Sequence, residues 1–85
     1  MPELDRKMKT KYKYIRFEKR VNPWDEEYVY WRCSTIKHRE LLGSVVYYQL
    51  WKQYCFMPEG EAVFSSDCLE DIQDFLKQLQ AKDQS

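Results

Sequence analysis

The chain has 85 residues, in which 14 basic side chains balance 14 acidic ones. This length accommodates one domain, because folded domains rarely fall below about 50 residues. Aromatic residues make up 16% of the chain, enough to stabilise a small core without disulfides or a structural metal. No apolar run approaches the roughly 20 residues that span a bilayer, and the zero net charge disfavours indiscriminate coating of nucleic acid.

The charges are balanced in sum but separated along the chain. Residues 1–25 carry eight basic side chains, whereas residues 56–85 carry seven acidic ones. Residues 1–10 are polar and show no hydrophobic period, which predicts a flexible basic arm. Whether the two charged segments form separate surfaces depends on the fold, and each surface would then be a candidate for recognition.

Four segments have the composition of β-strands. Residues 12–21 alternate apolar and polar side chains until Asn22-Pro23, and residues 28–35 are aromatic and β-branched. Residues 41–50 and 51–57 predict two further strands joined by a turn at Gln49-Leu50, with Pro58 ending the last one. Gly43 inside the third strand predicts a bulge or a close approach of another backbone.

The segment Ser66–Gln80 changes to a helical period. Its apolar residues are spaced by three and four positions, which defines one stripe along a helix. Asp67 and Glu70 have the spacing of a capping box, and we expect residues 81–85 to fray.

The order of the elements predicts a single α+β domain over residues 11–80. A four-stranded antiparallel meander would expose one apolar face, and the C-terminal helix would cover it. The predicted core contains Ile15, Phe17, Val29, Trp31, Val45, Tyr47, Phe56, Leu69, Ile72, Phe75, Leu76 and Leu79.

The residues that could act as nucleophiles or metal ligands do not indicate an enzyme. The three cysteines form no C-x-x-C pair, so we expect reduced thiols that are buried or half-buried, and no cofactor. The alternative is a zinc site, although the spacing lacks the short loop pairs of known zinc modules. Its ligands would be Cys33, His38, Cys55 and Cys68. A Cys–His nucleophile pair would need an orienting third group, and no such group is marked.

Two groups of residues are candidates for binding. The first is an aromatic and polar set that either completes a thin core or forms a protein-binding surface. It contains Tyr28, Tyr30, Tyr48, Trp51, Lys52 and Tyr54. The second is a basic set that either keeps the chain soluble or contacts nucleic-acid phosphates. It contains Lys7, Lys9, Lys11, Lys13, Arg16 and Arg20.

The second half of the chain also carries a dense pattern of aromatic, glycine and cysteine residues. The pattern comprises Leu42-Gly43, Val45, Tyr47-Tyr48, Trp51-Lys52-Gln53-Tyr54-Cys55-Phe56, Pro58, Phe64, Cys68-Leu69, Ile72, Phe75-Leu76 and Leu79. It resembles a family of small bacteriophage, prophage and mobile-element proteins to which no activity is assigned. Tyr47 stands where the family pattern usually has Trp, and Lys52 where it usually has Arg.

The resemblance implies a phage or mobile-element origin and a sheet-plus-helix domain. Together with the small size and the dense aromatics, it favours a non-enzymatic module that binds and inhibits a host defence protein in the cytoplasm. The alternative hypothesis is an accessory protein that binds nucleic acid through its basic arm and sheet. The sequence leaves the oligomeric state open.

Overall fold

The computed structural model describes residues 8–84, without the side chains of residues 26–27 and 82–84. Residues 1–7 of the predicted arm, including Lys7, lie outside the described residues. The described elements are β1 (Ile15–Asn22), β2 (Asp25–Thr35), β3 (Leu41–Tyr48), β4 (Gln53–Pro58) and α1 (Ser66–Gln84). The predicted α+β fold class is confirmed.

The four strands form one antiparallel sheet in the order β1-β2-β3-β4, which is a meander. Phe17 pairs with Cys33, and Cys33 pairs with Gly43. Because directly paired residues point to the same side of a sheet, this register sends one alternate set of side chains towards α1. The other set faces away from α1.

The core lies between the sheet and α1 and is centred on Phe75. The Phe75 ring stacks on Phe17 with 4.0 Å between ring centroids and meets Trp31 edge-on at 5.1 Å. The buried residues of this core are Tyr12, Ile15, Phe17, Cys33, Leu42, Val45, Ile72, Phe75 and Leu79. The helix therefore covers one face of the sheet, as the helical spacing of its apolar residues predicts.

The core differs from the sequence prediction at its margins. Leu69 is 54% exposed, so its assignment to the core was wrong. Val29 and Tyr47 are half-buried, whereas Trp31, Phe56 and Leu76 pack partly buried against the core. Tyr12 and Leu42 are buried without having been predicted as core residues.

The helix begins at Ser66 as predicted, but its cap differs. The Ser65 hydroxyl oxygen accepts a hydrogen bond from the amide of Cys68 at 3.2 Å, so Ser65 is the N-cap. Asp67 lies in the first turn, where its charge complements the helix dipole. The helix also continues to Gln84 through the segment predicted to fray, because no Gly or Pro interrupts it.

Gly43 lies beside a β-bulge, and β4 approaches it closely. The pairing of β2 with β3 shifts register after Cys33, which leaves Leu42 as the extra residue. A Cβ atom on Gly43 would lie 2.5 Å from the carbonyl oxygen of Met57 and 2.6 Å from Cζ of Phe56. The missing side chain therefore lets β4 and the Phe56 ring approach.

The turn between β3 and β4 is longer than predicted. Tyr48 pairs with Gln53, so residues 49–52 form a four-residue loop. The amides of Trp51 and Lys52 donate to the carbonyls of Tyr48 and Gln49, each at 3.2 Å. Trp51 therefore belongs to the loop and not to a strand.

The segment before β1 packs against the helix. Met8 contacts the core, and the amide of Lys9 donates to Oε1 of Gln78 at 2.8 Å. The amide of Tyr12 donates to the carbonyl of Ile15, which makes a tight turn before β1. Residues 8–10, assigned to the flexible arm from the sequence, are thus held on α1, and β1 begins three residues later than predicted.

Within the described part of the chain, α1 is not apolar enough to cross a membrane.

Candidate binding surface

The helix leaves the second face of the sheet uncovered, and we call it the open face. Its side chains are the alternate residues that point away from the core. They are Arg16, Glu18 and Arg20 from β1, Tyr28, Tyr30, Arg32 and Ser34 from β2, Ser44, Val46 and Tyr48 from β3, and Gln53, Cys55 and Met57 from β4. The face is basic on β1 and β2 and apolar on β3 and β4.

The basic part of the open face is concave. A pocket of about 230 Å³, which we call the arginine pocket, lies between the ends of β1, β2 and β3. It is lined by Arg16, Glu18, Arg20, Arg32, Ser34, Arg39 and Leu41. Glu18 accepts hydrogen bonds from Arg16 at 2.9 Å and from Arg20 at 3.2 Å. Four guanidinium groups therefore surround a pocket whose lining includes one carboxylate.

The open face also has two pairs of aromatic rings, one on β2 and one at the end of β3. Tyr28 and Tyr30 have ring centroids 6.1 Å apart, and Tyr48 meets Trp51 edge-on at 5.1 Å. A second concave region of about 270 Å³ lies beside the latter pair. Its lining consists of Tyr48, Trp51, Cys55, Phe56 and Met57.

Two loops bring large apolar side chains to one end of the sheet. In a meander the β1–β2 and β3–β4 turns lie at the same end, because the chain reverses at each turn. Trp24 is 92% exposed in the first turn, whereas Leu50 is 79% and Trp51 is 66% exposed in the second. The side chain of Asn22 accepts a hydrogen bond from the amide of Trp24 at 2.8 Å, which shapes the first turn. We call Trp24, Leu50 and Trp51 the hairpin end.

The structure brings together most of the predicted protein-binding residues. Tyr28, Tyr30 and Tyr48 lie on the open face, and Trp51 and Lys52 lie in the adjoining loop. Tyr54 does not join them, because it lies on the helix side and packs against the core. Its amide donates to Oε1 of Gln80 on α1 at 3.3 Å.

The predicted nucleic-acid-binding residues are divided between surfaces. Arg16 and Arg20 line the arginine pocket, and the backbone of Lys11 forms a β-bridge with the backbone of Arg16. The ammonium group of Lys9 instead lies 4.7 Å from the Tyr12 ring centroid, and that of Lys13 lies 5.2 Å from the Tyr14 ring centroid. The described basic residues therefore do not act as one arm.

Sequence reasoning missed Arg39, Trp24 and Leu50. Arg39 lies in the turn after β2 and adopts a left-handed backbone conformation with φ of 56°. Such positions favour glycine or asparagine, so the sequence carries no turn signal there. Trp24 and Leu50 lie in segments that the sequence already predicts as breaks between strands, and the available signal was that large apolar residues in short turns have no core to enter.

The acidic residues of α1 and the arginine pocket lie on opposite sides of the sheet. Asp67, Glu70, Asp71 and Asp74 belong to α1, on one side of the sheet. The arginine pocket lies on the other side. A negatively charged ligand can therefore approach the open face without meeting the acidic helix.

The cysteines do not form the alternative zinc site. Cys33 lies on the helix side of the sheet, whereas Cys55 lies on the open face. Burial, with a smaller effect of Cys68, raises the pKa of Cys33 to about 12. Among the described residues, no three His, Cys, Asp or Glu side chains are grouped so that they could hold a metal ion.

No protein-family model, curated protein or solved structure matches this chain. The resemblance of residues 42–79 to the phage pattern therefore stays a prediction. The function has to be inferred from the surfaces of the domain itself.

Proposed function

We propose that the protein is a non-enzymatic module that binds a partner protein through the hairpin end and the adjoining open face. The observation that carries the proposal is the exposure of Trp24, Leu50 and Trp51 on two loops at one end of the sheet. Single exposed apolar residues are common on protein surfaces, but large ones grouped beside an apolar hollow are typical of interaction sites. Trp and Tyr are also enriched among the residues that dominate protein interfaces.

The composition of the open face supports a partner of particular chemistry. The rings of Tyr28, Tyr48 and Trp51 would form an apolar centre, and the arginine pocket would form a charged margin. A partner surface with exposed apolar groups bordered by Asp and Glu would complement both parts. The acidic helix disfavours binding of the same partner from the other side.

The phage-like pattern supports a more specific hypothesis about this partner. We propose that the protein originates from a phage or mobile element and acts in the cytoplasm of the host cell. Its partner would be a host defence protein, which it inhibits by covering a functional surface. Small size and the absence of a marked catalytic group in the sequence support inhibition by occupancy alone.

Binding to nucleic acid is the second candidate function, and one observation favours it. Arg16, Arg20, Arg32 and Arg39 lie together on the open face beside Tyr28 and Tyr30. Single-stranded nucleic acid is typically held by such basic grooves with aromatic rings. Leu50 at the hairpin end favours the protein partner, because its exposed aliphatic side chain cannot stack on a base as an aromatic ring does.

The test compares three forms of the protein as baits in a lysate of cells that naturally produce it. They are the unaltered chain, the double variant Trp24→Ala/Trp51→Ala, and Val63→Ala. Val63 is a matched control because it is 85% exposed and lies in the loop after β4, whose end is opposite the hairpin end. All three should show the same melting transition, since none of the substituted side chains is buried.

We expect the unaltered chain and Val63→Ala to retain the same protein, with or without nuclease. The double variant should lose it, with affinity weaker by about tenfold or more, as for interface residues that dominate binding. Retention of the protein by the double variant would contradict a role for the hairpin end. Loss of all captured material after nuclease treatment would favour the nucleic-acid function.

A further inference from the structure

The arginine pocket has a charge that the fold itself does not balance. Glu18 neutralises one of the four guanidinium groups, although it contacts both Arg16 and Arg20. Among the described residues, Arg32 and Arg39 form no ion pair. The like charges of these guanidinium groups repel one another. An anion would relieve this repulsion.

The backbone at Arg39 adds a second, independent observation. Its left-handed conformation, with φ of 56°, would be less strained with glycine. The amide of Thr35 donates to the carbonyl of Glu40, and the Thr35 hydroxyl accepts from the amide of Glu40, both at 2.9 Å. These bonds close the turn that contains Arg39, and Arg39 lines the pocket. Strain kept at a non-glycine residue commonly accompanies a functional site.

We propose that the arginine pocket binds the phosphate group of a nucleotide, either free or at the end of a single strand. The planar guanidinium group donates two parallel hydrogen bonds to phosphate oxygens, and phosphate balances more positive charge than a carboxylate does. The pocket volume of about 230 Å³ is several times the roughly 30 Å³ that one water molecule takes up in the liquid. The pocket therefore has room for a phosphate group. This site does not depend on the protein-binding function proposed above.

The residues beside the pocket favour a nucleotide over other phosphate carriers. Tyr30 pairs directly with Arg20 across β1 and β2, so its ring adjoins the pocket. The ring of Tyr28 lies next to that of Tyr30, and Tyr28 is 42% exposed. Aromatic rings stack on the bases of single-stranded nucleic acids without regard to sequence. A phosphate in the pocket and a base on Tyr30 would use both features together.

The binding test uses the full chain in isothermal titration with adenosine monophosphate and with adenosine. We expect the monophosphate to bind and adenosine to bind at least tenfold more weakly. Equal binding of the two ligands, or no binding of the monophosphate, would overturn the proposal. A phosphoserine peptide that binds tenfold more tightly than the monophosphate would also overturn it, because the partner would then be a modified protein.

The two sources of the nucleotide are separated with short oligothymidylates. A 5′-phosphorylated strand that binds more tightly than thymidine monophosphate would identify the strand end as the natural ligand. Equal affinity of the two would identify the free nucleotide. Both results support the phosphate site, whereas tight binding of a 5′-hydroxyl strand equal to that of the phosphorylated one would contradict it.

A matched pair of variants tests the pocket itself. Arg39→Gln removes one charge from the pocket, and Lys37→Gln removes one charge from the same turn outside the pocket lining. Arg39→Gln should weaken binding of the monophosphate by about tenfold or more, because a charged hydrogen-bond donor is lost. Lys37→Gln should change it by less than twofold. Equal losses in both variants would show general charge attraction and would overturn the assignment.

Discussion

The phenolic oxygen of Tyr12 lies 2.8 Å from Oδ2 of Asp74, and the Tyr12 hydroxyl donates its proton to this carboxylate. The side-chain amide of Gln78 donates in turn to the Tyr12 oxygen at 2.8 Å and to the carbonyl of Lys9 at 2.9 Å. These bonds attach the segment before β1 to α1. The segment is therefore part of the folded domain from about Lys9 onwards.

Tyr12→Phe should lower the free energy of unfolding by about 1.5–3 kcal/mol at pH 7, the range for a hydrogen bond to a charged group. The ring would still pack edge-on against Phe17, so the loss would come from the hydroxyl alone. Urea denaturation measures the difference. The control is Tyr14→Phe, since Tyr14 is 48% exposed and should change stability by no more than about 0.5 kcal/mol.

The same residue predicts a dependence on alkaline pH. Burial, followed by the hydrogen bond to Asp74 and the charge of Asp74, raises the pKa of Tyr12 well above its ordinary value of 10.0. Below pH 10 both the folded and the unfolded chain keep the proton, so the contribution of Tyr12 to stability is complete. Above pH 10 the unfolded chain loses the proton first, and the contribution falls as the pH rises towards the folded pKa.

The difference in urea midpoint between the unaltered chain and Tyr12→Phe should therefore be constant from pH 7 to 9 and shrink above pH 10. A difference that stays constant up to pH 11 would show that the Tyr12 pKa is not raised by folding.

Phe75 and Leu69 provide a test of which side of α1 packs on the sheet. Phe75 is fully buried, so Phe75→Ala should cost about 3–5 kcal/mol. Leu69→Ala should cost no more than about 0.5 kcal/mol, because its side chain is largely exposed. Thermal melting of the two variants measures the contrast. Equal losses would show that the helix is rotated about its axis.

The error at Leu69 shows how far helical spacing can predict a core. A helix turns 100° per residue, so positions 68, 72, 75 and 79 lie on the middle of one stripe and positions 69 and 76 on its margin. The sheet contacts the middle of the stripe, which leaves Leu69 exposed and Leu76 partly buried. Hydropathy identifies the apolar residues but does not show how wide a stripe the sheet covers.

The alternation of apolar and polar residues predicts the strands and which side chains share the open face. The arginine pocket and the hairpin end also depend on the conformations of turns. Arg16, Arg20 and Arg32 share one side of the sheet because their strands alternate regularly. Arg39 and Trp51 owe their positions to loop conformations that lack a glycine or Asn-Gly signal. Sequence alternation could therefore predict the basic part of the surface, but neither the closure of the arginine pocket nor the hairpin end.

Gly43 tests the close approach of β3 and β4. Gly43→Ala would place a Cβ atom 2.5 Å from the backbone oxygen of Met57, which cannot move without shifting β4. We expect a loss of about 1–3 kcal/mol from this overpacking. Ser44→Ala on the neighbouring open face is the control, with little expected change. Unfolding in guanidinium chloride compares the two, and an unchanged midpoint in Gly43→Ala would contradict the close packing.

Cys33 should differ from the other two thiols in its reactivity. Its side chain is completely buried, and its raised pKa of about 12 leaves almost no thiolate at pH 8. Cys55 and Cys68 are half-buried and should react with a disulfide reagent in the folded protein. Two thiols per chain should therefore react in the native state and the third only in denaturant. Mass spectrometry of the labelled peptides identifies which cysteines have reacted. Labelling of Cys33 at the rate of Cys55 in the folded chain would mean that α1 does not cover this part of the sheet.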